Sequence, residues 1–366
     1  MCPRYVRCWR VSVLSTPGRE VIRGWLATAT AAAGASLAFA LAGLPSPVLF
    51  GALVGGIAYG VLGAAPLSLP PRSFAIGQAV IGVTIGAVID VETLTALRGD
   101  FWSILAACVI TLAFSVAGGY MFRARHDISP ATGVFAMIAG GASGVTAIAR
   151  DLGADERVVA VVQYLRVLLV LIAMPIVTAV VFRPERHGTG ELGGSPQFLP
   201  GLVFTLVCCL GGLVLGKLAR LPAGALLGPL AVAVLLSVSG WFEGFGDVGV
   251  PELLVNVGYA LIGIQVGLRF TRDSLRAIAA LLPRAVLVIV GLIAACAALG
   301  VALETVADVS ALDAYLATTP GGLYAVLATA IATSSNVTFV LGVQVMRLIV
   351  MLLAAPILAR VLRRRA

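Results

Sequence analysis

Two pairs of polar side chains stand inside long apolar segments, and their types suit the binding of an anion. Each pair is a glutamine followed three residues later by an arginine: Gln163 with Arg166, and Gln344 with Arg347. Residues three apart share one face of a helix, so each pair presents an amide and a guanidinium to one side. Arg166 lies about 12 Å from the expected start of its helix, at ~1.5 Å per residue. In a membrane, a charge at that depth faces a cavity or a partner. We predict that the arginines contact a ligand, with carbonyl oxygens of a neighbouring segment, or extension to the membrane surface, as the alternative.

A stretch of small residues precedes each pair and interrupts an apolar segment. Small residues allow a tight turn between two half-helices, and the amides at a half-helix N-terminus attract anions. We therefore predict a substrate-binding site made of the two glutamine–arginine pairs and these stretches, with close helix packing as the alternative role for the glycines. No catalytic or metal-binding residue is predicted. The stretches contribute Gly140, Gly141, Ala142 and Ser143, and Thr318, Thr319, Gly321 and Gly322.

The two halves of the chain are related by a shift of 181 residues. This shift carries Gly140 to Gly321, and it carries each member of the first glutamine–arginine pair to its counterpart in the second. It also relates Pro175 to Pro356. Such a shift indicates an internal duplication. Two further G-x-x-x-G patterns obey the same shift and favour close-packing faces: Gly82 with Gly86, and Gly263 with Gly267.

The composition is that of an integral membrane protein. Hydrophobic residues make up 60% of the chain and charged residues only 11%, and the apolar runs are long enough to cross a bilayer. The longest polar interval, 183–196, is too short for a folded soluble domain, which excludes a separate catalytic or nucleic-acid-binding domain. The net charge of +8 comes from arginines beside the ends of apolar runs, where they fix orientation.

The distribution of basic residues favours ten spans and two re-entrant hairpins over twelve full spans. With twelve spans, 14 basic residues face the cytoplasm and 8 face outward. If the two glycine-bearing segments enter and leave on one side, the counts become 19 and 3, and three arginines remain within spans. The twelve candidate segments are 25–43, 46–63, 74–90, 101–122, 128–149, 158–182, 199–216, 222–240, 251–268, 277–303, 312–333 and 335–359.

The preferred arrangement is an all-α polytopic protein with two inverted repeats. Each repeat has five transmembrane helices and one glycine-tipped hairpin, and the hairpin tips are expected to meet near the midplane. A cleaved signal peptide ending at 38–40 is rejected, because the second repeat has an equivalent span at 199–216. The expected parts are a cytoplasmic basic tail (1–24), the first repeat (25–182), a loop (183–198), the second repeat (199–360) and a cytoplasmic basic tail (361–366).

With its paired Gly-Gly motifs and two Q-x-x-R…P elements, the chain resembles the AbrB-type membrane family over about residues 25–360. The family is also labelled ammonia monooxygenase, but copper requires clustered ligands, and the only histidines are His126 and His187. The resemblance implies the cation–proton antiporter and anion transporter superfamily, with inverted five-span repeats and glycine-tipped hairpins. It also implies secondary transport by an elevator movement, in the inner membrane of a bacterium.

Two functions follow as expectations. The first is a secondary transporter, importing or exporting a small organic anion, with sodium or a proton as the coupling ion. The second is a membrane sensor or regulator of transporter fold that acts on gene expression through a partner. An intramembrane enzyme is disfavoured, because no nucleophile–base or metal constellation is present. No cofactor and no nucleic-acid partner are expected; the lipid bilayer is the expected environment, and a homodimer is left open.

Overall fold

The computed structural model describes residues 18–63, 67–89, 101–123, 128–138, 154–182, 198–221, 223–239, 249–277, 279, 281–307 and 309–363. Regular structure in these ranges is helical, without a strand. A π-helical stretch, Thr178–Phe182, continues α6. The α-helices are α1 (Gly18–Leu41), α2 (Pro47–Leu62), α3 (Pro71–Ala87), α4 (Phe101–Arg123), α5 (Pro130–Met137), α6 (Glu156–Val177), α7 (Phe198–Leu218), α8 (Gly224–Val238), α9 (Glu252–Gly267), α10 (Arg272–Ala277), α11 (Leu282–Ala307), α12 (Ala311–Thr318), α13 (Leu323–Ala332) and α14 (Val337–Arg363).

Five of these helices are long and apolar enough to cross a bilayer: α1, α4, α6 with its π-helical extension, α7 and α11. Their outer faces carry large apolar side chains that the protein leaves uncovered, such as Leu210 and Val214 on α7 and Leu287 on α11. Exposed apolar surface of this extent is stable against lipid but not against water. The chain is therefore a multi-pass membrane protein.

The predicted duplication is visible in the starting positions of the helices. The first residues of α3, α4, α5 and α6 are 71, 101, 130 and 156, and those of α9, α11, α12 and α14 are 252, 282, 311 and 337. Each corresponding pair differs by 181 residues. The order of these described elements is thus repeated in the second half, with α1 and α2 corresponding to α7 and α8. The residues equivalent to α10 and α13 lie outside the described part of the chain.

The helices pack into two bundles. One, called the scaffold bundle, contains α1, α2, α3, α7, α8 and α9; the other, called the hairpin bundle, contains α4, α5, α6, α11, α12, α13 and α14. In the scaffold bundle, α2 packs on α9 while its counterpart α8 packs on α3. In the hairpin bundle, α5 packs between α4 and α6, as α12 packs between α11 and α14. The contacts therefore keep the same pattern when the two halves are exchanged.

Glycines bring the paired scaffold helices into backbone contact. A Cβ on Gly82 of α3 would lie 2.4 Å from the carbonyl oxygen of Leu226 on α8. A Cβ on Gly263 of α9 would lie 2.5 Å from the carbonyl oxygen of Leu49 on α2. Both distances are too short for any side chain. The close-packing role predicted for the G-x-x-x-G patterns is confirmed at these contacts.

Two helix starts differ from the sequence prediction by five residues or more. Helix α1 begins at Gly18, inside the predicted tail 1–24, with the carboxylate of Glu20 in its first turn, where the helix dipole favours a negative charge. Helix α11 begins at Leu282 instead of 277, because the short helix α10 occupies the residues before it. Pro283 in the first turn of α11 suits a helix start, since its missing N–H has no helical partner there.

Candidate ligand-binding site

The segment predicted as the second hairpin, called by that name below, consists of α12 and α13, joined by residues 319–322. Its helices have 8 and 10 residues, which correspond to about 12 and 15 Å, or about half the hydrocarbon core of a bilayer each. The break is built from Pro320, Gly321 with φ +142°, and Gly322 with φ +71°. Only glycine adopts the first of these backbone conformations without strain. The interruption that the sequence predicts within 312–333 is confirmed.

Helix α13 starts at this break without a side-chain cap. Gly322 is its N-cap residue and has no side chain to accept hydrogen bonds from the first-turn amides. The N–H group of Ala325 already donates to the Gly322 carbonyl at 2.9 Å. The N–H groups of Leu323 and Tyr324 have no acceptor among the described residues, and the helix dipole adds a partial positive charge at the same end. The break therefore presents hydrogen-bond donors toward the interior of the hairpin bundle.

The base of the second hairpin is closed by a buried carboxylate. Asp313 accepts hydrogen bonds from the Ser310 hydroxyl at 2.7 Å and from the Asn336 backbone N–H at 2.8 Å. The Ser310 hydroxyl in turn accepts from the Asp313 backbone N–H at 3.1 Å and caps α12. These bonds tie the start of α12 to the residue just before α14, so both ends of the hairpin are held together.

The first repeat has the same closure with different side chains. Thr132, equivalent to Asp313, accepts from the Asp155 backbone N–H at 3.0 Å. Its own backbone N–H donates to the Ser129 hydroxyl at 3.1 Å. The duplication therefore extends to individual hydrogen bonds, with a hydroxyl in one repeat replaced by a carboxylate in the other.

The two glutamines bind equivalent carbonyl oxygens on the hairpin helices. Gln163 on α6 donates to the carbonyl of Phe135 at 2.8 Å, and Gln344 on α14 donates to the carbonyl of Leu316 at 2.9 Å. Phe135 and Leu316 are themselves related by the shift of 181. Both amides are buried. Each glutamine thus anchors a hairpin helix to the helix that follows the hairpin.

The arginines lie one turn after the glutamines on α6 and α14, and they bind carbonyls of the same two hairpins. Nη1 of Arg166 donates to the carbonyl of Met137 at 2.7 Å. Nη1 of Arg347 donates to the carbonyl of Thr319, and its Nη2 donates to Oε1 of Gln344. Both arginines are buried, at 4% and 5% exposure. The contact with hairpin carbonyls, left open by the sequence, is present in both repeats.

One donor of each guanidinium, the Nε–H group, is unused. The Nε atoms of Arg166 and Arg347 are both buried, and neither has a hydrogen-bond acceptor in the described part of the chain. Gly321 lies beside the first of them, because a Cβ on Gly321 would be 3.5 Å from Nε of Arg166. The tip of the second hairpin therefore contacts an arginine of the first repeat.

The two arginines also share a neighbourhood. Arg166 and Arg347 lie near each other, and Cys296 on α11 lies near both guanidiniums. Among the residues that the structure describes, no carboxylate is paired with either arginine. Two like charges are thus held within one buried region.

The remaining predicted site residues fall into three groups. Gly322 lies next to α6, since a Cβ on it would be 3.6 Å from Cγ1 of Val170. Thr318 and Thr319 are buried, and their hydroxyls donate to carbonyls of their own helix at 2.9 and 2.7 Å. Their O–H groups are therefore already engaged. The stretch predicted from the first repeat lies outside the described residues; it comprises Gly140, Gly141, Ala142 and Ser143.

Two polar features were not found from the sequence. Asp313 lies near the start of an apolar segment and was not recognised as a buried carboxylate; the Ser310-x-x-Asp313 spacing, a variant of the capping-box pattern, is the signal that identifies it. Cys296 lies in an apolar helix and carries no sequence signal of its proximity to the arginines. Within the described ranges, no group of three or more potential metal ligands occurs.

Comparisons with known proteins identify the family of this chain. The model of the family described as "Transition state regulatory protein AbrB" matches residues 48–363. "Putative regulator AbrB" of Escherichia coli (strain K12) is 31% identical over 326 residues, covering 89% of this chain and 92% of that protein. "Uncharacterized protein YhjN" of Bacillus subtilis (strain 168) is 23% identical over 356 residues, covering 92% of each. Because the family model matches most of its length, this chain belongs to the AbrB family.

Proposed function

We propose that this chain is a secondary transporter, importing or exporting a small organic anion, and that Arg166 and Arg347 form the centre of its binding site. The observation that carries this proposal is the convergence of these arginines, one from each repeat, on the broken second hairpin. Each has a buried Nε–H group without an acceptor among the described residues. Buried donors and charges are costly unless a partner satisfies them, and a bound anion is such a partner.

An inverted arrangement of the two repeats supports this function. The helices of the second hairpin are each about half as long as a bilayer crossing requires, which favours a hairpin that enters and leaves on one side. Five spans per repeat then give opposite orientations, with both termini in the cytoplasm and 19 of the 25 basic residues on that side. Backbone that is not helical at membrane depth must be covered by protein or line a cavity. Hairpin tips that meet near the midplane satisfy this requirement.

The separation into two bundles favours an elevator movement, in which the hairpin bundle slides along the scaffold bundle. Described polar contacts between them are few. Tyr324 on α13 accepts a hydrogen bond from Gln78 on α3 and packs edge-on against Phe74, with ring centroids 6.2 Å apart. Tyr164 on α6 accepts from Arg269, whose guanidinium carbon lies 4.7 Å from the centroid of the tyrosine ring.

The remaining contact between the bundles is largely apolar. One hydrophobic cluster contains Leu49 and Ile81 of the scaffold bundle together with Leu171 and Met174 of the hairpin bundle. Apolar contact has no directional bonds, so one surface can slide along the other without leaving polar groups unpaired. Such an interface is compatible with two stable positions of the hairpin bundle.

Flux in reconstituted vesicles tests the proposed function. The purified protein is reconstituted, and uptake of isotopically labelled organic acids is measured with a sodium gradient, a proton gradient or neither. Saturable uptake of at least one acid, absent from protein-free vesicles and driven by one gradient, is the expected result. If no acid crosses under any gradient, while the same preparation is folded, the transport function is wrong.

A second function, a membrane sensor that acts on gene expression through a partner, is favoured by the words "regulatory" and "regulator" in the matched names. A sensor requires ligand binding but no flux. Binding without movement of any acid that binds would therefore favour the sensor over the transporter.

A further inference from the structure

Among the residues that the structure describes, no carboxylate is paired with the two arginines. Both guanidiniums are at least nine-tenths buried, and an arginine keeps its charge at any physiological pH. The buried carboxylate of the second hairpin, Asp313, is engaged at the hairpin base by Ser310 and Asn336. Two buried positive charges without counter-charge are strongly unfavourable. The region is therefore electrostatically suited to receive two negative charges.

The free donors occur at the same atom in both repeats. In each arginine Nη1 is bound to a hairpin carbonyl, while Nε has no acceptor among the described residues. One buried donor without a partner can arise by chance. Its recurrence on the duplicated residue indicates that Nη1 holds the hairpin and that the Nε–H group is kept for another molecule.

A third donor group adjoins the first of these Nε–H groups. The uncapped N-terminus of the ten-residue helix α13 begins directly after Gly321, and the Cβ position of Gly321 is 3.5 Å from Nε of Arg166. An anionic oxygen placed here can accept from the guanidinium edge and from first-turn amides of α13. Glycine at the tip leaves the space that such an oxygen needs.

We propose that this site binds a dianion, with one anionic group at Nε of Arg166 beside the start of α13 and the second at Nε of Arg347. The ligand class is a small dicarboxylate or a compound with two equivalent oxyanion groups. This inference rests on the proposed anion site and makes it specific. A ligand of this kind neutralises both arginines and links the first repeat to the hairpin of the second.

Matched pairs of acids test the charge requirement on the unmodified protein. Malonate, succinate and glutarate are compared with propionate, butyrate and valerate, which have the same chain lengths and one carboxylate fewer. Dissociation constants come from thermal unfolding of the purified protein at constant ionic strength, because salt screens charge. At least one dicarboxylate should bind ~10-fold more tightly than its partner, or ~1.4 kcal/mol. The absence of such a preference in all three pairs would overturn the inference.

Removal of one arginine tests whether the second anionic group of the ligand binds at Arg347. Arg347→Gln should reduce the preference for the dicarboxylate to about one, while Arg347→Lys should retain part of it. Arg284→Gln is the matched control, since Nη2 of Arg284 also donates to a helix carbonyl, that of Met121 at 2.9 Å, but outside this site. A preference that persists in folded Arg347→Gln would assign the second charge elsewhere and overturn the site.

The failure of this inference is distinct from the failure of the transport function. Vesicles that move a monocarboxylate but show no preference for dicarboxylates would leave transport in place and overturn the dianion site. Selective binding of a dicarboxylate without flux would support the site and contradict transport. If Arg347→Gln does not fold, Arg166→Gln gives the equivalent measurement from the other repeat, and the comparison of acids on the unmodified protein decides alone.

Discussion

Arg166 of the first repeat and Gly321 of the second lie against each other, with Nε of the arginine 3.5 Å from the position that a glycine Cβ would take. The two residues are far apart in the chain, and their contact joins α6 to the turn between α12 and α13. Any group bound at this arginine edge is consequently bounded by the backbone of Gly321.

Gly321→Ala is expected to reduce transport by at least ~10-fold, the loss of about one charge-assisted hydrogen bond. The added Cβ occupies the space beside Nε of Arg166, and the backbone at φ +142° disfavours any side chain at a cost of about 1–3 kcal/mol. Gly43→Ala is the control for backbone strain, since Gly43 has φ +67° in the scaffold bundle. Flux and thermal stability are measured on both; equal flux losses would contradict the proposed site.

Asp313→Ala is expected to destabilise the protein by about 1–3 kcal/mol, because the Asn336 N–H and the Ser310 hydroxyl lose their acceptor at the hairpin base. Asp313→Thr should retain most of the stability that Asp313→Ala loses. Thr132 already fills the equivalent position of the first repeat and accepts the equivalent backbone N–H at 3.0 Å. Thermal unfolding of the purified variants checks both effects, and a threonine variant as unstable as the alanine variant would show that the two closures are not equivalent.

Single cysteines in a variant without native cysteines test the orientation of the repeats. Replacements at 152 and 218 are expected to face the cytoplasm, and Ala307→Cys at the end of α11 is expected to face outward. The expectation rests on the 19 basic residues that the re-entrant arrangement places inside. An impermeant maleimide added to intact cells reads the accessible side. Labelling from outside at position 152, which lies outside the described residues, would exclude a re-entrant first hairpin.

The sequence predicted the elements of this fold better than the use of each polar atom. The shift of 181 between residues such as Gln163 and Gln344 locates helix starts, because duplicated residues keep their local structure. The same shift gives no information on which guanidinium nitrogen meets a carbonyl. That choice depends on side-chain rotamers and on the distance between helices. Contact of Arg166 with a hairpin carbonyl and contact with a ligand were therefore alternatives from the sequence. In the structure, Nη1 donates to a carbonyl and Nε has no acceptor among the described residues.

Asp313 illustrates a different limit. A carboxylate close to the start of an apolar segment is expected to reach water, so no sequence pattern places it in the interior. The short helix α12 instead starts inside the hairpin bundle, where Asp313 is 8% exposed. Its burial follows from the tertiary position of the hairpin and not from the local pattern of residues.

A cross-link between the two bundles is expected to stop transport if the hairpin bundle moves along the scaffold bundle. Gln78→Cys and Tyr324→Cys place one thiol on each bundle where the native side chains are in hydrogen-bond contact. A direct disulfide is unsuitable, because two side chains as long as these hold their backbones too far apart. A bifunctional maleimide that spans roughly the combined length of the two side chains joins the pair instead. It reacts with protein molecules in either vesicle orientation, provided that the two thiols are accessible.

The control cross-link lies within the hairpin bundle. Met121→Cys on α4 and Arg284→Cys on α11 replace residues that are also in hydrogen-bond contact, but both helices belong to the same bundle. An elevator movement carries this pair as one body, so flux should survive its cross-linking. Each single-cysteine variant treated with a monofunctional maleimide accounts for modification alone. Transport that continues after complete cross-linking of 78 to 324 would exclude a sliding movement at this contact, whereas loss of flux only in that pair would locate the movement between α3 and α13.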